Sequence, residues 1–411
     1  MLGHIELRSA KIWVQTEKEA LVRLEIKKQH SKGSWTWAGT QKSGAESAYC
    51  LSFDISQLEP GTTYVYRLKV GGKEVSRPYP LQFTTQQLWQ WRTDAPDFKV
   101  AMGSCNYINE AAYDRPGKPY GGDYFIFEKI AETKPDLMLW LGDNTYLREV
   151  DWNSRSGVLH RYTHSRSIPE MQKLLASCPQ YAIWDDHDYG PNDANSSWIH
   201  KNWTLEAFQT FWANPSSGLQ PQSGITTAFS YNDIDFFLLD DRWFRSSEKL
   251  TDSCERKMLG DMQLEWLINA LKFSQAPFKI VAIGSQVLNS MAVYENYAQF
   301  PCEREKLLGR IGAEGIKNVI FVTGDRHHSE ISRLEKDGVV MHDITASPLT
   351  SSFPANRDNE PNANRIGGSL VLKRNFALFE FSGSRKERSL LIRFVDNTGN
   401  EVYRYNLERQ P

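Results

Sequence analysis

Short β-branched and aromatic runs dominate residues 1 to 90. Ile5–Gln15, Leu21–Lys28, Ala48–Ile55, Tyr64–Val70 and Leu81–Thr84 are separated by turn formers such as Ser31-Lys32-Gly33 and Gly71-Gly72. Runs of this length between turns predict strands, and their spacing predicts a small all-β sandwich over residues 1–90. The pattern stops over residues 86–97, QQLWQWRTDAPD, which reads as a linker. From Phe98 onward, short apolar runs alternate with helix-length stretches such as Asp123–Glu132 and Trp203–Trp212. That alternation predicts an α/β domain over residues 98–411. The Asn-, Pro- and Arg-rich stretch Phe353–Gly368 reads as a long surface loop.

The apolar runs of this second region end in polar clusters. Phe98–Met102 runs into Gly103-Ser104-Cys105-Asn106, and Leu137–Leu141 into Gly142-Asp143-Asn144-Thr145-Tyr146. Tyr181–Trp184 runs into Asp185-Asp186-His187-Asp188, and Phe236–Leu239 into Asp240-Asp241-Arg242. Phe278–Ile283 runs into Gly284-Ser285-Gln286, and Val319–Val322 into Thr323-Gly324-Asp325-Arg326-His327-His328. Buried strands with such carboxyl ends place these clusters on one rim of a sheet, where α/β folds bind ligands. A single buried Asp or His is usually a satisfied structural residue. Many carboxylates converging with imidazoles and a thiol repel one another unless a cation neutralises them, so the pattern points to a metal site.

Composition narrows the field. The formal charge of -2 gives no broad basic field for nucleic acid or a membrane surface. No apolar run is long enough to span a bilayer. The first residues lack both the apolar stretch of a signal peptide and a twin arginine, which predicts a cytoplasmic protein, or a periplasmic or extracellular one if a leader has been removed. Five cysteines, Cys50, Cys105, Cys178, Cys254 and Cys302, are odd in number and far apart in sequence. That argues against a disulfide framework and against a clustered zinc site.

The motifs resemble the calcineurin-like metallophosphoesterases, and more closely their alkaline phosphatase D (PhoD-like) branch. Gly142-Asp143 matches the superfamily's Gly-Asp. Asp185-Asp186-His187-Asp188 stands where Gly-Asn-His-Asp/Glu is expected, and Gly324-Asp325-Arg326-His327 where Gly-His-x-His is expected. The Asp-x-His motif is replaced by Gly103-Ser104-Cys105-Asn106, as in the alkaline phosphatase D branch, and the middle strand ends in Ser285-Gln286 without its histidine. Tyr146, three residues after Asp143, matches a tyrosine of purple acid phosphatases. The resemblance implies a two-sheet αββα catalytic domain behind the small β-domain. Within that β-domain, Leu58–Tyr66 resembles the fibronectin type III tyrosine corner.

The resemblance also sorts the ligands. One metal site holds Cys105, Asp143, Tyr146 and His327; thiolate and phenolate donors suit Fe3+. The other holds Asp143 as a bridge with Asp186 and Asp325; its oxygen donors suit Ca2+, with Mn2+ or Mg2+ as alternatives. The implied activity is hydrolysis of small-molecule phosphate esters, with His187 as general acid and Asn106 and Arg242 as candidate contacts to the phosphoryl group. An ordinary ion pair explains Arg242 equally well. Monoesterase, diesterase and phospholipase D-like activities remain open at this level, as does a binding protein built on the β-domain. His160 and His164 read as a solvated helix face, and His328 and Asp185 as structural neighbours of the ligands. Oligomeric state is not encoded in these patterns.

Overall fold

The computed structural model describes residues 1–356 and 360–410. Part of the expected loop at Phe353–Gly368, residues 357–359, lies outside the described residues. The N-terminal region forms β1 (Leu2–Ile5), β2 (Ala10–Gln15), β3 (Leu21–Lys28), β4 (Thr36–Lys42), β5 (Cys50–Ile55), β6 (Thr63–Val70), β7 (Lys73–Glu74) and β8 (Gln82–Thr84). One sheet has the order β1-β2-β5; the other runs β4-β3-β6-β7, with β8 also paired to β6. Alternation turns Ile12 and Phe53 from the first sheet, and Val22, Leu24 and Tyr66 from the second, into one shared apolar core. The expected strand Ile5–Gln15 is broken into β1 and β2, because the chain turns at Glu6–Ser9 and pairs with itself.

The remainder contributes β9 (Phe98–Gly103), α1 (Ile126–Glu132), β10 (Leu137–Leu141), α2 (Arg155–Arg166), α3 (Pro169–Ser177), β11 (Gln180–Ile183), α4 (Asp186–Tyr189), α5 (Lys201–Phe211), β12 (Thr227–Tyr231), β13 (Ile234–Leu238) and α6 (Asp261–Phe273). It continues with β14 (Lys279–Ala282), α7 (Pro301–Ala313), β15 (Val319–Thr323), β16 (Glu330–Lys336), β17 (Val339–Thr345), β18 (Asn375–Ser382), β19 (Ser389–Asp396) and β20 (Glu401–Leu407). These strands form two six-stranded sheets, β11-β10-β9-β18-β19-β20 and β12-β13-β14-β15-β17-β16. Strands β9, β10 and β11 are parallel in the first, and β13, β14, β15 and β17 in the second.

Fully apolar strands such as Leu137–Leu141 and Val319–Thr323 need cover on both faces. The main core joins Trp140 and Phe379 of one sheet to Phe236 and Ile280 of the other, and takes in Phe127 of α1 and Leu174 of α3. A separate core packs Leu267 of α6 and Leu307 of α7 against Val281 and Phe321. The result is a mixed α/β fold with sheets inside and helices outside. Among the described residues no helix is long and apolar enough to cross a membrane.

The cysteine reading needs correction. Cys254 and Cys302 form a disulfide, with Cα atoms 4.9 Å apart, because α7 begins against the loop that carries Cys254. Sequence separation of 48 residues concealed that proximity. Cys50, Cys105 and Cys178 are free thiols and buried.

Candidate metal centre

The parallel strands of both sheets deliver their carboxyl ends to one rim. Cys105 follows β9, Asp143 and Tyr146 follow β10, Asp186 and His187 open α4 after β11, and Asp325 and His327 follow β15. Cys105, Asp143, Asp325 and His327 have φ of 58°, 52°, 63° and 54°. Non-glycine residues rarely adopt this left-handed conformation, and where they do the surroundings must hold them there. The turns are also crowded. Gly142 has φ 91°, and a Cβ added there would lie 2.6 Å from the Cβ of Asp185, so only glycine fits.

Cys105, Asp143 and His327 offer ligand atoms that all lie within 4.8 Å of one another. The Tyr146 hydroxyl joins them, donating to Asp143 Oδ2 at 2.9 Å and standing 3.3 Å from His327 Nε2. Asp143, Asp186 and His187 form a second such group, and Asp186, Asp193 and Glu295 a third. Asp143 is therefore shared by the first pair of groups and Asp186 by the second pair. Cys105, Asp143, Tyr146 and Asp186 are all buried.

Asp325 sits beside these groups and belongs to none of them. It faces Arg326, whose Nε lies 3.9 Å from its carboxylate, and it is in electrostatic contact with Glu295 and Asp186. Asp193 and Glu295 were missed in the sequence because neither ends an apolar run; both lie in loops. The visible signal was only acidity, which is common on loops.

Arg242 departs from its expected role. It is fully buried, with Nε donating to Asp185 Oδ1 at 2.6 Å and Nη1 to Glu295 Oε1 at 2.6 Å. Its guanidinium is committed to two carboxylates and is not presented to a phosphoryl group. Asn106 is likewise engaged: Nδ2 donates to Asn144 O at 3.0 Å and Oδ1 accepts from Thr350 at 3.3 Å. Both side chains tie site loops together. Asp185 holds Arg242 as a neighbour of the ligands should. His160 pairs with Glu110 at 3.1 Å, and His164 meets Asn109 O at 3.0 Å. His328 is fully buried, 3.0 Å from Arg326 O and 3.7 Å from Glu330.

Electrostatics fits cations. Burial pushes Asp143 well above the usual carboxylate range, and Asp186, Cys105, Asp185 and Asp188 push the same way. Burial, then Asp325, raises the Cys105 thiol to about 12. Burial also raises Asp325 to about 7, with Glu295 next. Asp186 is the exception: burial opposes its ionisation, but His187 and Arg242, together with hydrogen bonds from the Asp193 N–H and Asp143, hold it low. Asp186 Oδ1 is buried with no hydrogen-bond donor. Oxygen and sulfur donors this close resist ionising together unless a cation neutralises them, and the orphaned Asp186 oxygen offers such a cation a ready ligand. His187 lies at the edge, its ring 4.2 Å from that of Tyr146 and its Nε2 3.9 Å from Asp186. Burial lowers the affinity of His187 for a proton, against the pull of Asp186.

Comparison with known proteins agrees with this architecture. Residues 100–383 match the model of the PhoD-like phosphatases, and residues 1–88 match a domain of unknown function (DUF7800). Alkaline phosphatase D of Bacillus subtilis (strain 168) is 24% identical, over 77% of this chain and 60% of that protein. The chain thus spans less than two thirds of that relative's length. A solved PhoD structure superposes with a TM-score of 0.77 at 18% identity, covering 100% of this chain and 91% of that one. Purple acid phosphatase PPD1 from yellow lupin (Lupinus luteus) seeds gives 0.71 at 13% identity, covering 98% of this chain and 73% of that one. At these identities the structural matches speak to fold.

Proposed function

The chain belongs to the PhoD-like phosphatase family, and from that premise we propose that it hydrolyses small-molecule phosphate esters at a multinuclear metal centre on the shared rim. The observation that carries this is the sharing of Asp143 and Asp186 among three adjacent ligand groups. Cys105, Asp143, Tyr146 and His327 are the proposed Fe3+ ligands, since thiolate and phenolate stabilise a trivalent ion. Asp143 and Asp186, extended by Asp193 and Glu295 or by a turn of Asp325, offer the hard oxygens that suit Ca2+, or Mn2+ or Mg2+. Metals bound there supply Lewis-acid activation of water and neutralise charge on the phosphoryl oxygens.

The protein's own side chains do the rest. The backbone N–H of His187 donates to Asp143 Oδ1 at 3.3 Å, and its ring packs at a tilt of 31° against Tyr146, so the imidazole is fixed at the open edge of the centre. From there it can give a proton to the leaving alkoxide oxygen. Arg242 holds the Asp185 and Glu295 loops in place. Ser347 donates to Cys105 Sγ at 3.1 Å and Ser351 Oγ lies 3.5 Å from His327 Nε2, which fixes both side chains.

The proposed organisation is a β-domain over residues 1–90 and a catalytic domain over 98–411. A fibronectin type III-like reading of the first is supported at Tyr64, whose hydroxyl accepts from Glu59 N–H at 3.0 Å as in a tyrosine corner. The Cys254–Cys302 disulfide favours an oxidising compartment over the cytoplasm suggested by the N-terminal residues.

The test combines metal analysis of purified protein with assays on nitrophenyl phosphate and bis-nitrophenyl phosphate. Iron and a hard divalent ion are expected together with turnover of at least one ester. A visible charge-transfer band should shift or vanish in Tyr146→Phe. Protein that turns over neither ester with all metals supplied would defeat the functional reading. An iron-loaded but colourless protein would remove Tyr146 from the ligand set.

A further inference from the structure

Away from the metal centre, a cavity of about 800 Å³ opens between the N-terminal sheets and helices α2 and α3. That volume is in the range of small-molecule sites, which favour such junctions. Its walls are mixed but more apolar than polar, with Val14, Leu68 and Leu81 on one side and Leu159 and Leu175 on the other. Two arginines line it, Arg77 from the segment after β7 and Arg166 from the end of α2. Among the described residues neither makes an ion pair with a carboxylate. Glu17 is exposed on the rim, and His160, also at the wall, is taken by Glu110.

Arg166 is the informative residue. Only 6% of it is exposed, yet a buried cation normally has a carboxylate partner. Nη2 donates to Phe211 O at 2.9 Å, while Nε is buried with no acceptor. Trp212, Phe211 and Trp13 present ring faces to the guanidinium, with the Trp212 centroid 4.0 Å away. Rings and the helix C-terminus make a cation tolerable, but they supply no carboxylate or other full negative charge to the guanidinium. The missing element is an anion delivered through the cavity.

We propose that this cavity binds an amphipathic anion, a carboxylate or phosphate-type headgroup on a short apolar chain, with Arg166 and Arg77 holding the headgroup and the apolar walls covering the chain. The site is distinct from the metal centre and would make the junction between the β-sheets and α2 responsive to a small molecule.

Calorimetric titration of the full chain with octanoate and with hydrolysis-resistant octylphosphonate tests it, and the ratio of the two affinities identifies the headgroup. Charge-assisted hydrogen bonds set the expected size: Arg77→Gln should weaken binding about fivefold and Arg166→Gln about tenfold or more. Octanol and inorganic phosphate, each lacking one half of the ligand, should bind about tenfold more weakly than the better amphiphile. If Arg166→Gln loses cooperative unfolding, Arg77→Gln and the cavity-filling Leu68→Trp decide the matter, and both should weaken binding. Failure of both amphiphiles to bind at millimolar concentration would overturn the proposal. So would affinities indifferent to these substitutions, or octanol binding as well as octanoate. Octylphosphonate binding that survives Arg77→Gln and Arg166→Gln but is lost in Asp143→Asn would assign the ligand to the metal centre instead.

Discussion

The left-handed backbone at Cys105, Asp143, Asp325 and His327 aims side chains that an extended strand end would throw to opposite sides. Such conformations persist only where surrounding contacts over-determine them. Asp143 shows how: its Oδ2 accepts from Tyr146 at 2.9 Å and its Oδ1 from the His187 N–H at 3.3 Å. Because two ligand groups share it, Asp143→Asn should lower metal content and turnover together, to background. A fully active Asn variant would sink the shared-ligand reading. His187 is different. It lies on the open side, so His187→Ala should retain metal and slow turnover by about 10²–10⁴-fold, with a smaller loss for good leaving groups. If metal content falls instead, elemental analysis will have made His187 a ligand, as its place in the second group allows.

At the scale of elements, the centre depends on loops leaving different strands being locked together. Arg242, after β13, bonds Asp185 after β11 and Glu295 after β14, and Arg245 Nη2 reaches Glu295 at 3.3 Å. Arg242→Met would leave the buried Asp185 carboxylate without its cation and Glu295 with Arg245 alone, which should cost about 3–5 kcal/mol in denaturant unfolding. A role in binding substrate would instead raise KM and leave unfolding unchanged, so the two measurements separate the explanations. The sequence disclosed the strand ends because a parallel strand covered on both faces must be continuously apolar and its first polar residues must emerge at the rim. Cys105, Asp143, Tyr146, Asp186 and His327 were legible for that reason. Glu295 and Asp193 were not, since they approach from loops whose path is set by packing. The same limit hid the partners of Arg242, the Cys254–Cys302 pair, and the edge strand β4, whose mostly exposed and half-exposed residues carry little apolar pattern.

In the whole molecule, the two large sheets share one apolar core, and polar contacts also join them. His342 of β17 is one such contact, its Nε2 3.3 Å from the hydroxyl of Tyr405 on β20 of the other sheet. Burial, with Arg333 acting in the same direction, lowers His342 to about 4. In the unfolded chain the group titrates near its ordinary value of about 6.5. A histidine whose folded affinity for protons is depressed leaves the native state neutral where the unfolded state is charged. Its effect is absent above about pH 6.5, and it destabilises progressively as pH falls from there toward 4, by at most about 3 kcal/mol. His342→Gln removes this titration and keeps a polar group near Tyr405. Urea unfolding of both proteins at matched metal content should show wild type at least as stable near pH 7, losing ground to the variant between pH 6.5 and 4. The comparison must be a difference between the two proteins, because other buried acids titrate in the same range; burial raises Asp343 to about 6, for example. Parallel stability curves across that window would mean that His342 is protonated in the folded protein, and that the contact between β17 and β20 opens to water.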